Sequence, residues 1–561
     1  MDVLAPLAGG SVIALDESGG QCCATIDPGN AHSFLSFLRD DPGLRFDMLV
    51  DIVGIDTLGL GLPQRFQVVY VLASTVLGHR LWVKASLSSE TAALPSVVPV
   101  YAIADWLERE VYDQFGIVFL GHPNLKRLLN FKGFVGHPLR KDFPFDGRQT
   151  VPESEDLLDE MKIKLDRVKH SLASVRVTEY GNANGENADN GNDPFLVNFG
   201  PAHPIVHGIL RLLLAVEGET IIAAVPEIGY LHRGVEKNLE NGTYHHVIPY
   251  TDRLNYASPM MNNIGYCKAI EKMLGITISD REMLIRVMLC ELGRIMDHLL
   301  CLGPHLIDLG ALTPFWYLFQ VREKIYDVME KYCGARLTYS CVRIGGMVAP
   351  LYDGFTDDIE AVLKELAKAI DDVRRLVERN RIFYDRCCNV GAISRDDALG
   401  HGFTGPCLRA TGYEYDVRKN RPYYLYDTLD FSVIVGTNGD TYDRFFVRMY
   451  EMIESAKIIS QVIARIKELP PEAVADGAKK SKGFKKIAPP AGALYDSSEA
   501  ANGELGFYIV SDGSAKPYRL KIRSPSLCNY SAIEKLAEGA MIADLVSIIG
   551  SLNVIGGEID R

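Results

Sequence analysis

His203 and His207 stand four residues apart, a spacing that on a helix presents two imidazoles to one metal ion. Pro204 lies between them and Pro201 just before them, in strand-like text, and no third ligand is evident. A helical metal pair is therefore not expected. A histidine in such a Pro/Gly-framed loop can still donate a proton, since its ordinary pKa is near ~6.5. Glu108-Arg109-Glu110-Val111-Tyr112-Asp113 forms a dense acidic patch on helical text, with Arg109 and Asp113 at i,i+4. A solvated face with local ion pairs accounts for this patch as well as a functional role does. Gly503-Glu504-Leu505-Gly506 lacks the Lys and the spacing of a phosphate loop. A dinucleotide fingerprint and a G-x-S-x-G nucleophile elbow are both absent.

The 11 cysteines, from Cys22 to Cys528, include no Cys-x-x-Cys pair. Zinc and iron–sulfur sites use such spacings because one turn of chain then presents two thiolates to one metal. The expected state is reduced, mostly buried thiols and no metal ligand set. A net charge of −13 argues against a nucleic-acid partner, which needs a basic surface.

The elements that position these residues fall into two blocks. Of 561 residues, 47% are hydrophobic and 23% charged, the balance of a folded chain with sizeable cores. No run approaches about 20 uninterrupted apolar residues. The greasiest helical stretch, Met283 to Leu302, is broken by Arg286, Glu291, Arg294 and Asp297. The N-terminal text carries acids where an export signal needs Lys or Arg, so no export is expected.

In residues 1–147, strands are expected at Phe46–Ile55 and Phe66–Leu72, and helices at Ala31–Arg39 and from Ala102. A Gly-, Pro- and Lys/Arg-rich arm closes this small α+β domain. Residues 148–194 read as a charged helix followed by an Asn/Gly-rich linker at 181–194. Residues 195–561 open with strand text and continue with long amphipathic helices. Ser279-Asp280-Arg281-Glu282 is a capping-box signature, and helices are expected at Phe315–Lys331, Asp357–Glu378 and Thr441–Glu468. A loop at 469–493, a hairpin closed by Asp512-Gly513-Ser514 and a helix from Ser531 to near Ile549 complete a mainly helical domain with small β additions.

The strings themselves carry more. FGPAHPIVHGILR (199–211), IGYLHRGVEKNLE (228–240), DRLNYASP (252–259), LIDLGALTP (306–314), VRIGGM (342–347), LRATGYEYDVRKNRPY (408–423) and GELGFYIVSDG (503–513) together resemble the D-type polypeptide of the respiratory NADH:quinone oxidoreductase, complex I. EREVYDQFGIVFLGHPNLKRLL (108–129) and HPLRKDFP (137–144) resemble the C-type polypeptide of the same complex. The resemblance covers nearly all of the chain past residue 40 and implies a natural fusion of the C and D types.

The D-type polypeptide is related to the large subunits of [NiFe] hydrogenases, which implies a hydrogenase-like fold for the large domain. Hydrogenases carry R-G-x-E, sixteen residues, then R-x-C-G-x-C, with a second Cys-x-x-Cys near the C-terminus. Here Arg233-Gly234-Val235-Glu236 and sixteen further residues lead to Arg253, and the cysteine positions hold Asn255, Ser258, Ile555 and Glu558. Such residues cannot hold nickel and iron together.

The resemblance implies that this cavity became a quinone-headgroup site. His207 and Tyr256 match the residues that hydrogen-bond the quinone carbonyls, and Asp308 matches an aspartate able to pair with His207. Arg253 matches an arginine beside the terminal [4Fe-4S] cluster of the adjacent subunit, with His203 on the same cofactor side. Many relatives carry a histidine before R-I-G-G, where this chain has Thr338 and Tyr339, a departure that favours a low-potential quinone such as menaquinone. The implied protein is a peripheral-arm core subunit of a proton-pumping complex, on the cytoplasmic side of the inner (plasma) membrane. Its implied partners are the cluster-bearing B-type and I-type subunits, the membrane H-type and A-type subunits, and quinone. It would bind no cofactor alone and be inactive as an isolated chain. A structural subunit with a decayed site, or a complex fed by another donor such as ferredoxin, are the competing readings.

Overall fold

The computed structural model describes residues 12–88, 92–147, 149–150, 157–166, 195–202, 209–469 and 487–561. The chain has a two-part, mixed helix-and-sheet architecture. In the first part β1 (Val12–Ser18), β2 (Gln21–Ile26), β3 (Met48–Asp56), β4 (Phe66–Ala73) and β5 (Arg80–Leu87) form one sheet in the order β1-β2-β5-β4-β3. Only the β2–β5 pairing is parallel. The helix Ala31–Asp40 packs Ala31, Phe34, Leu35 and Leu38 inward, at the three-to-four residue spacing of one helical face.

Every residue of β3 is buried, Asp51 and Gly54 included. A half-buried strand would alternate; this one is covered on both faces. On one face Phe115 from the helix Ala104–Phe115 lies where a Cβ on Gly54 would sit, 2.6 Å away. From the second part, Arg519 Nε donates to Gly54 O at 3.2 Å and Arg523 Nε to Val50 O at 3.3 Å.

The acidic patch is not a solvated face. Glu108, Glu110 and Asp113 are all buried. Asp113 organises the arm, its carboxylate accepting from Arg127 Nη1 at 2.7 Å and from the backbone N–H groups of Leu128, Leu129 and Asn130. Two short strands, β6 (Ala93–Pro95) and β7 (Val118–Leu120), pair in parallel beside it. The rest of the arm is irregular, as its composition implies.

The second part opens with β8 (Phe195–Phe199), β9 (Arg211–Glu217) and β10 (Thr220–Glu227), ordered β10-β9-β8. The charged helix is described over 158–166, where Met161, with Leu157 before it, packs on Leu213, Ala215, Ala223 and Val225. The expected Asn/Gly linker, like residues 167–180, lies outside the described residues.

The helix Asp280–Asp308 runs through the core against Pro259–Leu274, Leu312–Cys333, Thr441–Glu468 and Ile542–Leu552. Its start carries the expected capping box, Ser279 with Glu282. Past a two-residue hairpin, β11 (Val342–Arg343) and β12 (Gly346–Met347), the helices Phe355–Val377 and Thr441–Glu468 follow within two residues of expectation. Residues 338–341 are not strand. Thr338 and Ser340 have φ of 55° and 42°, in the left-handed region that breaks extended pairing.

The expected hairpin is β14 (Gly503–Ser511) with β15 (Arg519–Arg523), and an unforeseen β13 (Gly492–Ala500) pairs with β14 along its length. The single helix expected from Ser531 is instead Ile533–Ala537 and Ile542–Leu552, after Pro525–Tyr530. It breaks because Gly539 N–H donates to Ile221 O and Ile221 N–H to Ala540 O, so the edge of β10 claims the backbone groups that a continuous helix would use.

Candidate functional site

Two distant segments close on the Asp280–Asp308 helix. The first, residues 252–258, links the short helix Ile248–Thr251 to Pro259–Leu274. The second follows Ile542–Leu552, which ends at Asn553 in a left-handed conformation, φ 54°. They touch directly: a Cβ on Gly557 would lie 2.6 Å from Arg253 O and 3.0 Å from Leu254 O.

Asp297 sits between them, fully buried. Its Oδ2 accepts from Asn255 Nδ2 at 2.7 Å and Ser258 Oγ at 3.0 Å, and its Oδ1 from Asn553 Nδ2 at 2.5 Å. Asn553 Nδ2 also donates to Asn502 Oδ1 at 2.6 Å. Three neutral donors thus satisfy the buried carboxylate. Glu558, also fully buried, accepts from Ser526 Oγ. Burial pushes Glu558 up to about 7, and Asp297 adds to the effect against the hydrogen bond from Ser526.

Tyr256 lies beside this cluster, 36% exposed, its phenol pKa raised by burial and then by the Asp297 carboxylate. It stays protonated at neutral pH while part of it remains accessible, a suitable state for a hydrogen-bond donor to a ligand. Arg253 is exposed, and its Nη1 donates to Pro249 O at 2.5 Å. Asp308 ends the helix that carries Asp297, eleven residues on, about 16 Å along the axis and close to the same face.

His203 and His207 lie outside the described residues. The residues on either side of 203–208 are described. A Cβ on Gly200 would fall 2.0 Å from Leu210 O, so these two flanks meet, and one on Gly556 would lie 3.8 Å from Ile209 N, which brings Ile209 next to the second segment. The buried Tyr339 donates to Arg336 O at 2.9 Å, while Ser340 Oγ donates to Asp252.

The sequence reading missed Asp297 as a site residue, together with Asn502 and Asn553. Glu236 of R-G-V-E faces the small domain's side, accepting from Arg519 Nη1 at 2.7 Å and Ile522 N–H at 3.0 Å. No group of three or more His, Cys, Asp or Glu that could hold a metal ion occurs among the described residues. Nor is any helix among them long and apolar enough to cross a membrane.

Comparison with known proteins agrees with this two-part plan. The family model for the 30 Kd subunit of respiratory-chain NADH dehydrogenase matches residues 24–149, and that for the 49 Kd subunit matches residues 308–561. Together they define a respiratory-chain NADH dehydrogenase polypeptide with both portions in one chain. A relative from Bdellovibrio bacteriovorus, the C/D subunit of its NADH-quinone oxidoreductase, is 44% identical over 95% of this chain and 94% of its own length. The second C/D subunit of Aquifex aeolicus is 38% identical over 95% and 94%. The separate D-type polypeptide of Sorangium cellulosum, the first of that type there, is 46% identical over 66% of this chain and 96% of its own. The chain belongs to the C/D family of NADH-quinone oxidoreductase subunits and is a fused polypeptide of complex I, an oxidoreductase of respiratory electron transport.

Proposed function

We propose that this chain forms the wall of a quinone-headgroup pocket beside the terminal iron–sulfur cluster of a neighbouring subunit, and that quinone reduction there is coupled to proton pumping. The observation that carries the reading is the cluster around Asp297. The positions that hold cysteines in hydrogenases are Asn255 and Ser258 in one segment and Ile555 and Glu558 in the other, and the two segments are in contact. Asn255 and Ser258 are turned onto a carboxylate, and Ile555 offers no donor atom, so nickel and iron do not fit. On this reading the large domain is a hydrogenase-like fold whose cavity has changed its occupant.

The residues suit the chemistry. Two-electron reduction of a quinone needs a proton at each carbonyl oxygen. Tyr256 supplies a protonated phenol, and His207 would donate at the other carbonyl, with Asp308 favouring its charged form. Loss of the His207 proton would change the electrostatic field at Asp308, which supplies a trigger toward the membrane arm. Arg253 and His203 belong on the side facing the cluster, and Arg253 would stabilise its reduced form. The chain would sit peripherally on the cytoplasmic face of the membrane, with B- and I-type subunits on the cluster side and H- and A-type subunits at the tunnel mouth. Residues 1–147 would be the docking domain, 148–194 the connection and 195–561 the quinone-site domain.

The test uses complex purified from membranes. Tyr256→Phe and His207→Ala are expected to lose most quinone reduction while electron transfer to a hydrophilic artificial acceptor is retained. Native quinone turnover in both variants would overturn the reading.

A further inference from the structure

The chain carries a net charge of −13, yet one cleft of the large domain collects cations. The cleft, about 410 Å³ in volume, lies between the helix Pro259–Leu274, strand β13 and residues 421–424. Lys268 and Lys272 line it from one face of the helix, at i,i+4, where like charges repel. Both rest on a single carboxylate. Lys268 Nζ is 2.6 Å from Asp496 Oδ2, and Lys272 Nζ is 3.2 Å from Asp496 Oδ1. Lys268 Nζ also donates to Ser497 O at 2.8 Å and lies 4.6 Å from the centre of the Tyr423 ring.

Arg421 is the third cation, placed just past the short helix Val417–Asn420. Its Nη1 is buried without a hydrogen-bond partner, and among the described residues no carboxylate pairs with its guanidinium. Two acids of the neighbouring strands are already paired, Glu504 with Arg80 at 2.6 Å and Glu499 with Arg409 at 2.8 Å. By contrast, Arg286 and Arg409, guanidiniums of the same core, each meet a carboxylate directly. Three cations thus share one carboxylate, an excess of two positive charges in a partly buried cleft. Folding alone is not served by that excess, which costs electrostatic energy in a low-dielectric setting.

An anion of about two charges with several acceptor oxygens would complete the set. A phosphate monoester carries about −1.5 to −2 at neutral pH and offers three strong acceptor oxygens. The guanidinium fork suits two of them and an ammonium a third. We propose that this cleft is a binding site for a phosphate-type dianion, either inorganic phosphate or a phosphate monoester, held by Arg421, Lys268 and Lys272. The bound anion ties residues 421–424 to the helix and to β13, and the volume leaves room for the organic part of an ester. The site is independent of the quinone pocket.

Intact complex purified from membranes into phosphate-free buffer tests this. Amide hydrogen exchange is followed over residues 266–274, 417–424 and 493–500 while inorganic phosphate is titrated against chloride at constant ionic strength. Phosphate is expected to slow exchange there severalfold, because a ligand stabilises the state that binds it. Glycerol 3-phosphate, a monoester, is expected to act like phosphate, and a short-chain phosphatidylglycerol, a singly charged diester, to be weaker. Arg421→Gln is expected to weaken the phosphate response about tenfold or more, the effect of one lost charged donor. Quinone turnover in Arg421→Gln is expected to stay native. Its thermal midpoint without phosphate is expected to be native or higher, because one of three like charges is gone; a lower midpoint would mark a structural cation and overturn the proposal. If Arg421→Gln fails to assemble, Lys272→Gln, at a half-exposed position, decides by the same titration. Equal effects of phosphate and chloride, a native phosphate response in the variant, or a response to phosphatidylglycerol alone also overturns it.

Discussion

Glu110 Oε2 accepts a hydrogen bond of 2.5 Å from Nη2 of Arg561, so the second helix of the small domain grips a residue three positions beyond Glu558. The other oxygen of Glu110 takes Lys521 Nζ at 2.6 Å, and all three side chains are buried. Removing the carboxylate strands two cations in a low-dielectric boundary, a loss of about 3–5 kcal/mol for a buried pair. Glu110→Ala is therefore expected to lower the thermal midpoint of the complex and its amount in membranes, with Glu110→Asp intermediate. Membranes with native complex content and a native midpoint in Glu110→Ala would sink this account of the boundary.

Stability should also pass through a maximum in pH. Burial alone would raise Glu291, but Arg294 and Arg418 overcome it and hold the carboxyl down to about 2. Burial likewise works against Arg409 at Glu451 and against Arg80 at Glu504, and both end at about 2. Because these folded values lie below the unfolded carboxylate value of ~4.3, their stabilisation is present above ~4.3 and is lost as pH falls toward 2. Glu108 runs the other way. Burial pushes it up to about 8, so the stability tied to its proton is present below ~4.3 and lost as pH rises through 8. Burial raises Asp51 to about 6, adding an earlier loss on the same limb. Thermal midpoints recorded from pH 3 to 9 are expected to peak on the acid side of neutrality, and a peak above pH 8 would contradict it.

The same charges explain what could be read from the sequence. Arg286, Glu291, Arg294 and Asp297 interrupt the apolar text of one helix, and in isolation they look like breaks in a membrane-like run. Folded, they are the polar wiring of the core: Arg286 meets Glu271, Glu291 meets Arg418, and Asp297 gathers the site. Helical periodicity and the capping box are local signals, so the Asp280–Asp308, Leu312–Cys333 and Thr441–Glu468 helices were legible. Partners 42 and 256 residues away, Asn255 and Asn553 for Asp297, leave no periodic trace. The burial of Glu110 was hidden for the same reason, because its partners Lys521 and Arg561 come from beyond residue 500, whereas Glu108 is held within the small domain by Ser96 and Val97. The contacting segments around 255 and 555 were legible only through family strings.

Arg286 supports a different loop. Its Nη1 and Nη2 donate to Glu271 Oε2 at 2.8 Å and Oε1 at 2.7 Å, while further N–H groups reach the Tyr424 hydroxyl and the carbonyls of Arg343 and Gly346. A lysine keeps the charge but loses the fork. Arg286→Lys is expected to cost about 2 kcal/mol or more, with two buried carbonyls left unpaired. The β11–β12 hairpin should then exchange its amide hydrogens faster than native. Native protection over residues 342–347 would count against the assignment.

Gly557 offers the sharpest test of the contact between the two site segments. Its neighbours on the other segment are backbone, Arg253 O and Leu254 O, which cannot step aside as a flexible side chain can. A methyl group there must push residues 253–258 away from residues 553–558 by a few tenths of an ångström or more, and Tyr256 moves with its segment. Misplacement of about 1 Å can cost ~100-fold in rate. Gly557→Ala is therefore expected to reduce quinone turnover about tenfold, with a raised KM, while transfer to a hydrophilic acceptor stays native. Gly133→Ala is the control, because its added Cβ would meet Phe131 only at 3.7 Å, ordinary contact distance. If Gly557→Ala matched that control in quinone turnover and KM, the close approach of the two segments would not be what positions Tyr256.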